Sequence, residues 1–274
     1  MKETIRKHIL LWVEDNIYSL GNIDELTKVI GYSRRTIENW FRQRYHQSLG
    51  EYIIKRRISR AAVLIRMTPL PITEIAYLFH YQSSQGFARA FKNFTGLSPS
   101  EYRQSEVWDF DKLQPSLLLK DIDIPEVKLC ELALKFKYNN TVTVHDHIFN
   151  PAISDVTKSI KKLLLESHEI ITELAISARQ ADLLSKGRAS IVDVNISYFQ
   201  SGNTSAGENS CLLEGRYAIL DFEGDWETYS FFSKFMYMLI MTRYKLKLRN
   251  EAHLMKLHFY SEEKIKFSIY IPVN

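Results

Sequence analysis

The chain opens with apolar positions at helical spacing. Ile5, Ile9, Trp12, Val13 and Ile17 share one face and predict a helix. A shorter apolar face follows at Ile23, Leu26, Val29 and Ile30. Asn22-Ile23-Asp24-Glu25 starts it with the N-cap and N3-Glu spacing of a capping box. Gly31-Tyr32 supplies a turn. Ser33 then caps a helix with Ile37, Trp40 and Phe41 inward and Arg34, Arg35, Glu38, Asn39 and Arg42 outward. A long amphipathic stretch, Leu49 to Met67, carries Tyr52, Ile53, Ile58, Ala61, Ala62, Leu64 and Ile65. The pattern then recurs. Ile72, Ile75, Ala76 and Phe79 make a short helix face, and a tight turn leads to Phe87, Phe91 and Phe94 at i, i+4 and i+7. The other face of that helix carries Ser84, Gln85, Arg89 and Lys92. Ser98-Pro99-Ser100-Glu101 opens a further helix, with Ser as N-cap, Pro at N1 and Glu at N3.

After Ser105 the period changes. Residues 106–117 read as a linker. Leu129 to Tyr138 alternates, with Cys130, Leu132, Leu134, Phe136 and Tyr138 on one apolar face. Ile153 to Leu165 has helical spacing, Ile191 to Phe199 alternates, and Ser201 to Ser210 is polar enough for a loop. Arg216 to Phe222 reads as a strand. Asp225 caps a long helix from Trp226 to about Tyr244. Leu254 to Tyr260 and Ile265 to Val273 close the chain as a pair of strands. The expected fold is multidomain: an all-α N-terminal domain, residues 1–105, a linker, 106–117, and an α+β domain of helices on an antiparallel sheet, 118–274.

The two N-terminal repeats are helix-turn-helix motifs, and fifty residues separate Arg35 from Gln85. Nineteen helical residues between them would span roughly 28 Å. Readers of successive turns on one DNA face sit roughly 34 Å apart. A strut of this length suits that separation. Two readers in one chain imply an asymmetric site and binding as a monomer. Charge supports the reading. Residues 1–105 hold 16 Lys and Arg against 9 Asp and Glu, a net of +7, and the remainder nets −3. A basic domain fits a polyanion, although a solvated surface would look similar. On the strut, Lys55, Arg56, Arg57 and Arg60 could touch phosphates or pair with Glu51 or Glu74.

The run from Pro71 to Arg103 closely resembles the second DNA-binding half of the AraC/XylS transcription regulators. The resemblance implies an activator that binds double-stranded DNA and contacts RNA polymerase. It places Ser84, Gln85, Gly86, Ala88 and Arg89 toward the major groove, where Gln85 can pair with adenine and Arg89 with guanine or a phosphate. In the first motif the matching positions are Arg35, Glu38 and Asn39. The members this chain most resembles carry Trp, Gln and Arg there, so a different sequence preference is expected. Arg35 and Asn39 can read guanine and adenine, and Glu38 can accept from cytosine N4. His80 fills a turn position where the family has glycine, and a tolerated turn residue is expected.

The C-terminal element order resembles the GyrI-like ligand-binding domain, through Gly215 to Gly224, the helix after it, and Phe267 to Val273. The resemblance implies a sensor of an amphipathic small molecule, or a protein-contacting or structural module. Tyr217, Glu223, Trp226, Tyr260, Ser268 and Tyr270 are the candidate ligand residues, with Phe232 as a further apolar wall. Core packing is the commoner role for such aromatics. Cation-binding members carry a pocket glutamate where this chain has Ser268. A neutral or anionic ligand is therefore expected, with Glu223 as a substitute acid for a cation.

Other chemistry is thinly supported. There is no phosphate loop, nucleophile elbow, cysteine cluster or zinc-helix motif, and no enzyme activity or cofactor is expected. His145-Asp146-His147 lacks a third ligand at fixed spacing and reads as a polar loop, with no metal. Cys130 and Cys211 are too few for a disulfide framework, which suggests reduced thiols. The N-terminus has no apolar signal segment, and the longest apolar run, Phe235 to Met241, is too short to span a bilayer. A cytoplasmic protein with no membrane partner is expected.

Overall fold

A computed structural model of the chain describes residues 3–17, 23–68, 70–119, 126–147, 154–167, 169–180, 191–200 and 209–274. It divides into two compact units. The first comprises Met1–Arg66, Leu70–Ser105 and Lys112–Asp123; the second comprises Met67–Pro69, Glu106–Asp111 and Ile124–Asn274.

The first unit is helical: α1 (Glu3–Asp15), α2 (Ile23–Ile30), α3 (Arg34–Tyr45), α4 (Leu49–Met67), α5 (Ile72–Leu78), α6 (Ser84–Thr95) and α7 (Pro99–Gln104). From Ser33 onward its internal repeat holds at an offset of 50, while the turns before it, at Gly31 and His80, are 49 apart. Ser33 and Ser83 each accept a backbone N–H of the first helical turn, from Thr36 and Gly86. His46 and Gly96 each end their helix in the left-handed conformation. The ring contact of Phe41 with Tyr52, 5.4 Å between centroids, recurs as Phe91 with Tyr102 at 5.3 Å. Ile37, Phe41, Phe87 and Phe91 are fully buried, so the apolar arcs of α3 and α6 are core. The capping box at Ser98 and Glu101 forms as expected. Asn22, the expected cap of the α2 box, lies outside the described residues.

Five arginines, four of them on α4, tie the unit together. Arg56 Nε and Nη2 donate to Glu14 of α1 at 2.9 and 2.7 Å, and Arg60 Nη2 donates to the same carboxylate at 2.9 Å. Arg57 Nε donates to Ile17 O just past α1. Arg66 donates to the carbonyls of Tyr102, Arg103 and Ser105, and Arg103 returns to Ile65 O and Leu70 O. Each of these arginines satisfies carbonyls or a carboxylate that would otherwise be stranded at a helix end or in the core.

The expected linker is structured, and it divides. Val107–Asp109 forms β1, which pairs antiparallel with β7 (Lys247–Arg249) in the second unit. Residues from Lys112 belong to the first unit. There Gln114 N donates to Ser59 Oγ, Leu117 N to Tyr52 Oη, and Arg56 Nη1 to Gln114 O. A 3-10 turn at Leu117–Leu119 follows. Trp108, Phe110 and Leu113 are buried, which explains why the segment does not run free.

The second unit holds β2 (Lys128–Tyr138), β3 (Asn140–His147), α8 (Asp155–Glu166), β4 (Glu173–Gln180), β5 (Ile191–Tyr198), β6 (Asn209–Asp225), α9 (Trp226–Tyr244), β7, β8 (His253–Tyr260) and β9 (Lys264–Pro272). Seven strands form one sheet in the order β2-β6-β9-β8-β4-β5-β3, each neighbour antiparallel. The order exposes a second internal duplication. β3-α8-β4-β5 and β6-α9-β8-β9 are each strand, helix, hairpin, with the last strand between the other two; the halves join where β4 pairs β8. Ser154 N at the start of α8 donates to Ser230 Oγ of α9 at 2.7 Å. One sheet face therefore packs on helices, through Leu220, Phe222, Ile265 and Phe267 with Tyr229. β3 and β4 were not expected. His145-Asp146-His147 lies in β3 rather than a loop: His145 pairs with Asp193, and Asp146 accepts from Ser154 Oγ and Asp155 N at the start of α8. The side chain of His147 and most of the expected Ser201–Ser210 loop lie outside the described residues.

Candidate nucleic-acid interface

Capping decides which side of each recognition helix is presented. Ser33 and Ser83 fix the first turns of α3 and α6, and the buried arcs at Ile37/Phe41 and Phe87/Phe91 fix their roll. What remains outward is the predicted set. Arg34, Arg35, Asn39 and Arg42 are exposed on α3, and Gln85, Gly86, Arg89 and Lys92 on α6; Ser84 and Ala88 are half-buried. The two sets correspond at the offset of 50: Arg34 with Ser84, Arg35 with Gln85, Asn39 with Arg89, Arg42 with Lys92. Arg34, Arg35 and Arg89 have no ion-pair partner among the described residues, so their charge faces outward. Glu38 differs. Its carboxylate Oε2 accepts the Leu49 N–H at 3.1 Å, and the residue is half-buried.

The strut cations do not join this surface. Arg56 and Arg60 are buried and bound to Glu14; Lys55 pairs with Glu51 at 2.6 Å and donates to Gln47. Glu14 is the partner that sequence reasoning missed, because it lies 42 residues from Arg56 on another helix. Burial alone would raise the Glu14 pKa. The charges and hydrogen bonds of Arg56 and Arg60 outweigh that and hold it at about 2.

The candidate ligand residues of the second unit separate into two groups. Tyr217, Ser268 and Tyr270 share the sheet face opposite the helices. Tyr217 belongs there to an apolar cluster with Phe136, Leu213, Leu254 and Ala175, and Tyr270 packs against it. Glu223 is on the same face but exposed, and pairs with Lys266 at 2.7 Å. Trp226 and Tyr260 are elsewhere. Trp226 Nε1 donates to Ser261 O and its ring meets Tyr229; Tyr260 Oη accepts Ile171 N–H. Phe232 packs on Phe222 under α9. All three support the fold. Ser268 has an acid beside it that the sequence reading did not weigh. Asp221 stands directly across the strand pair, and Ser268 Oγ donates to it at 2.6 Å. That hydroxyl has one proton, so His258 Nε2, 2.7 Å away, must be donor to Ser268. The hydrogen bond from Ser268, then Lys128 nearby, holds the Asp221 carboxyl below its usual range. An acid is therefore present, supplied by the neighbouring strand.

A family model described as "Helix-turn-helix domain" matches residues 26–105. The HTH-type transcriptional regulator YkgA of Escherichia coli is 40% identical over 47% of this chain and 54% of its own length. The right origin-binding protein of Escherichia coli is 33% identical over 47% of this chain and 44% of its own. The chain thus spans about half the length of these curated relatives. The HTH-type transcriptional activator AarP of Providencia stuartii is 36% identical over 38% of this chain and 78% of its own. This chain belongs to the AraC family of transcription regulators. α3 and α6 lie within the residues that this helix-turn-helix model matches, and no described helix is long and apolar enough to cross a membrane.

Proposed function

We propose that the first unit binds duplex DNA sequence-specifically as a monomer, and that the chain regulates transcription through it in the cytoplasm. One observation supports this most: two helix-turn-helix motifs, whose second helices share the same cap at an offset of 50, present Arg35 and Asn39 on one helix and Gln85 and Arg89 at the equivalent positions of the other. Arg to guanine and Asn or Gln to adenine are the pairings that major-groove geometry favours. Arg34, Arg42 and Lys92 border these readers and meet backbone phosphates, while Ser84, Gly86 and Ala88 face the major groove beside them. The name of AarP, a transcriptional activator, supports activation as the direction of control, and contact with RNA polymerase is part of the same proposal. Selection from a randomised duplex pool, followed by light scattering of the complex, tests the reading. One chain per minimal site and a steep fall of affinity with salt are expected. Two chains per site would refute monomeric binding.

The second unit carries a further reading, as a GyrI-like sensor of an amphipathic molecule. The sheet face opposite the helices supports it, with an apolar cluster around Tyr217 beside the Asp221–Ser268 pair. With Asp221 in place, the preference for neutral or anionic ligands no longer follows, and an apolar cation is admitted as well. Thermal shift of the full chain with bile acids, fatty acids and quaternary ammonium dyes tests this, because a ligand bound only by the folded state raises the melting temperature. No shift with any of them would favour a protein-contacting or structural module.

A further inference from the structure

By helical period Glu38 belongs to the outward arc of α3, yet its side chain is spent within the protein. Oε2 accepts the backbone N–H of Leu49 at 3.1 Å. Leu49 is the first residue of α4, so its N–H is one of four that no carbonyl of the same helix can reach. Ser48 Oγ accepts the Glu51 N–H at 3.1 Å, and Glu38 satisfies a second of these donors. A carboxylate there also meets the positive end of the helix dipole.

The second motif is the control. Fifty residues on, Glu38 becomes Ala88 and Leu49 becomes Pro99. Proline has no N–H, so that corner has no donor to satisfy, and no acceptor faces it. The serine cap is shared: Ser98 Oγ accepts the Glu101 N–H at 3.3 Å, as Ser48 does for Glu51, although Glu101 also accepts the Ser98 N–H while Glu51 pairs with Lys55. The acceptor is present in the repeat that has the donor and absent in the repeat that lacks it. A base-reading role does not account for that pairing.

We infer that Glu38 is a positioning residue, which pins recognition helix α3 to the first turn of α4 and reads no base. The inference deepens the DNA-binding reading and rests on it for its consequence. α4 is the strut between the motifs, so the tie sets where Arg35 and Asn39 fall relative to Gln85 and Arg89.

The test uses the full chain and two variants. Glu38→Gln keeps an acceptor of the same reach, and Glu38→Ala removes it. Each is selected against a randomised duplex pool. Each is then assayed on the wild-type site and on sites with one base pair added or removed between the two halves. All three proteins should select the same bases, with Glu38→Gln within about twofold of wild type and Glu38→Ala about five- to tenfold weaker, the loss of one charge-assisted hydrogen bond. Glu38→Ala should also discriminate less against the shifted sites. A changed base preference at one position in either variant would overturn the inference, as would a Glu38→Ala protein equal to wild type in affinity and spacing. Amide exchange at Leu49 in the free protein judges the tie without DNA. Protection should persist in Glu38→Gln and drop in Glu38→Ala, and equal protection in all three also overturns it. That pattern kept in a chain that binds no duplex would uphold the tie and refute the DNA reading instead.

Discussion

Arg56 closes a fork-to-fork pair with Glu14, Nε and Nη2 each meeting a different carboxylate oxygen, at 2.9 and 2.7 Å. The arginine side chain is 1% exposed and the glutamate 13%, with Arg60 completing the cluster. Such a site tolerates no loss of one partner. Glu14→Gln would leave two buried guanidinium groups short of a counter-charge, and should cost about 3–5 kcal/mol in denaturant melts. A loss below about 1 kcal/mol, the scale of a surface pair, would contradict this picture.

The same cluster predicts acid sensitivity. The folded Glu14 pKa is about 2, below its unfolded value, so its contribution is complete above the unfolded value of 4.5. That contribution is lost as pH falls from there toward 2. Acid unfolding of the first unit, followed by circular dichroism, should show a transition in that window. Glu14→Gln should flatten this part of the pH profile; an unchanged profile would assign the acid transition to other carboxylates.

Arg35→Ala and Gln85→Ala should each weaken binding to the selected site by about 1–3 kcal/mol, with a smaller effect on random duplex. Lys92→Ala should weaken both alike, as a phosphate contact does. Equal losses on both kinds of DNA for Arg35→Ala would remove it from base readout.

The helical unit does not end at Ser105. Ser59 and Tyr52 accept the N–H groups of Gln114 and Leu117, and Leu113 is buried. A fragment of residues 1–119 should therefore be more stable than one of residues 1–105, by about 3 kcal/mol for three hydrogen bonds and one leucine. Matched thermal melts of the two fragments decide it, and coincident curves would show that the segment is dispensable.

His80 adopts φ 62°. A side chain in that left-handed region costs roughly 1–2 kcal/mol, which glycine avoids while adding entropy to the unfolded chain. His80→Gly should stabilise the protein by about 0.5–1 kcal/mol. Destabilisation would mean that the imidazole holds the turn.

Some of this architecture was legible along the chain. Helix period and caps are local, so α4 begins and ends at the expected Leu49 and Met67, and Asp225 caps α9 at Trp226 as read. The offset between Ser33 and Ser83, and with it the two outward arcs, likewise needs only counting. Other features depend on residues meeting across the fold. β3 escaped notice because the polar alternation of Thr141, Thr143 and His145 matches cross-strand partners Ser197, Asn195 and Asp193 that nothing local reveals. The acid beside Ser268 sits 47 residues away, and only strand pairing brings Asp221 there. Helical period placed Glu38 outward and chemistry made it a base reader. Tertiary structure set an orphan N–H within its reach, and a buried or half-buried donor outbids solvent for an acceptor. The strut arginines were left undecided between phosphate and protein for the same reason. Their charge is visible in the sequence, but whether a charge faces water or a carboxylate is settled only when Glu14 arrives from another helix.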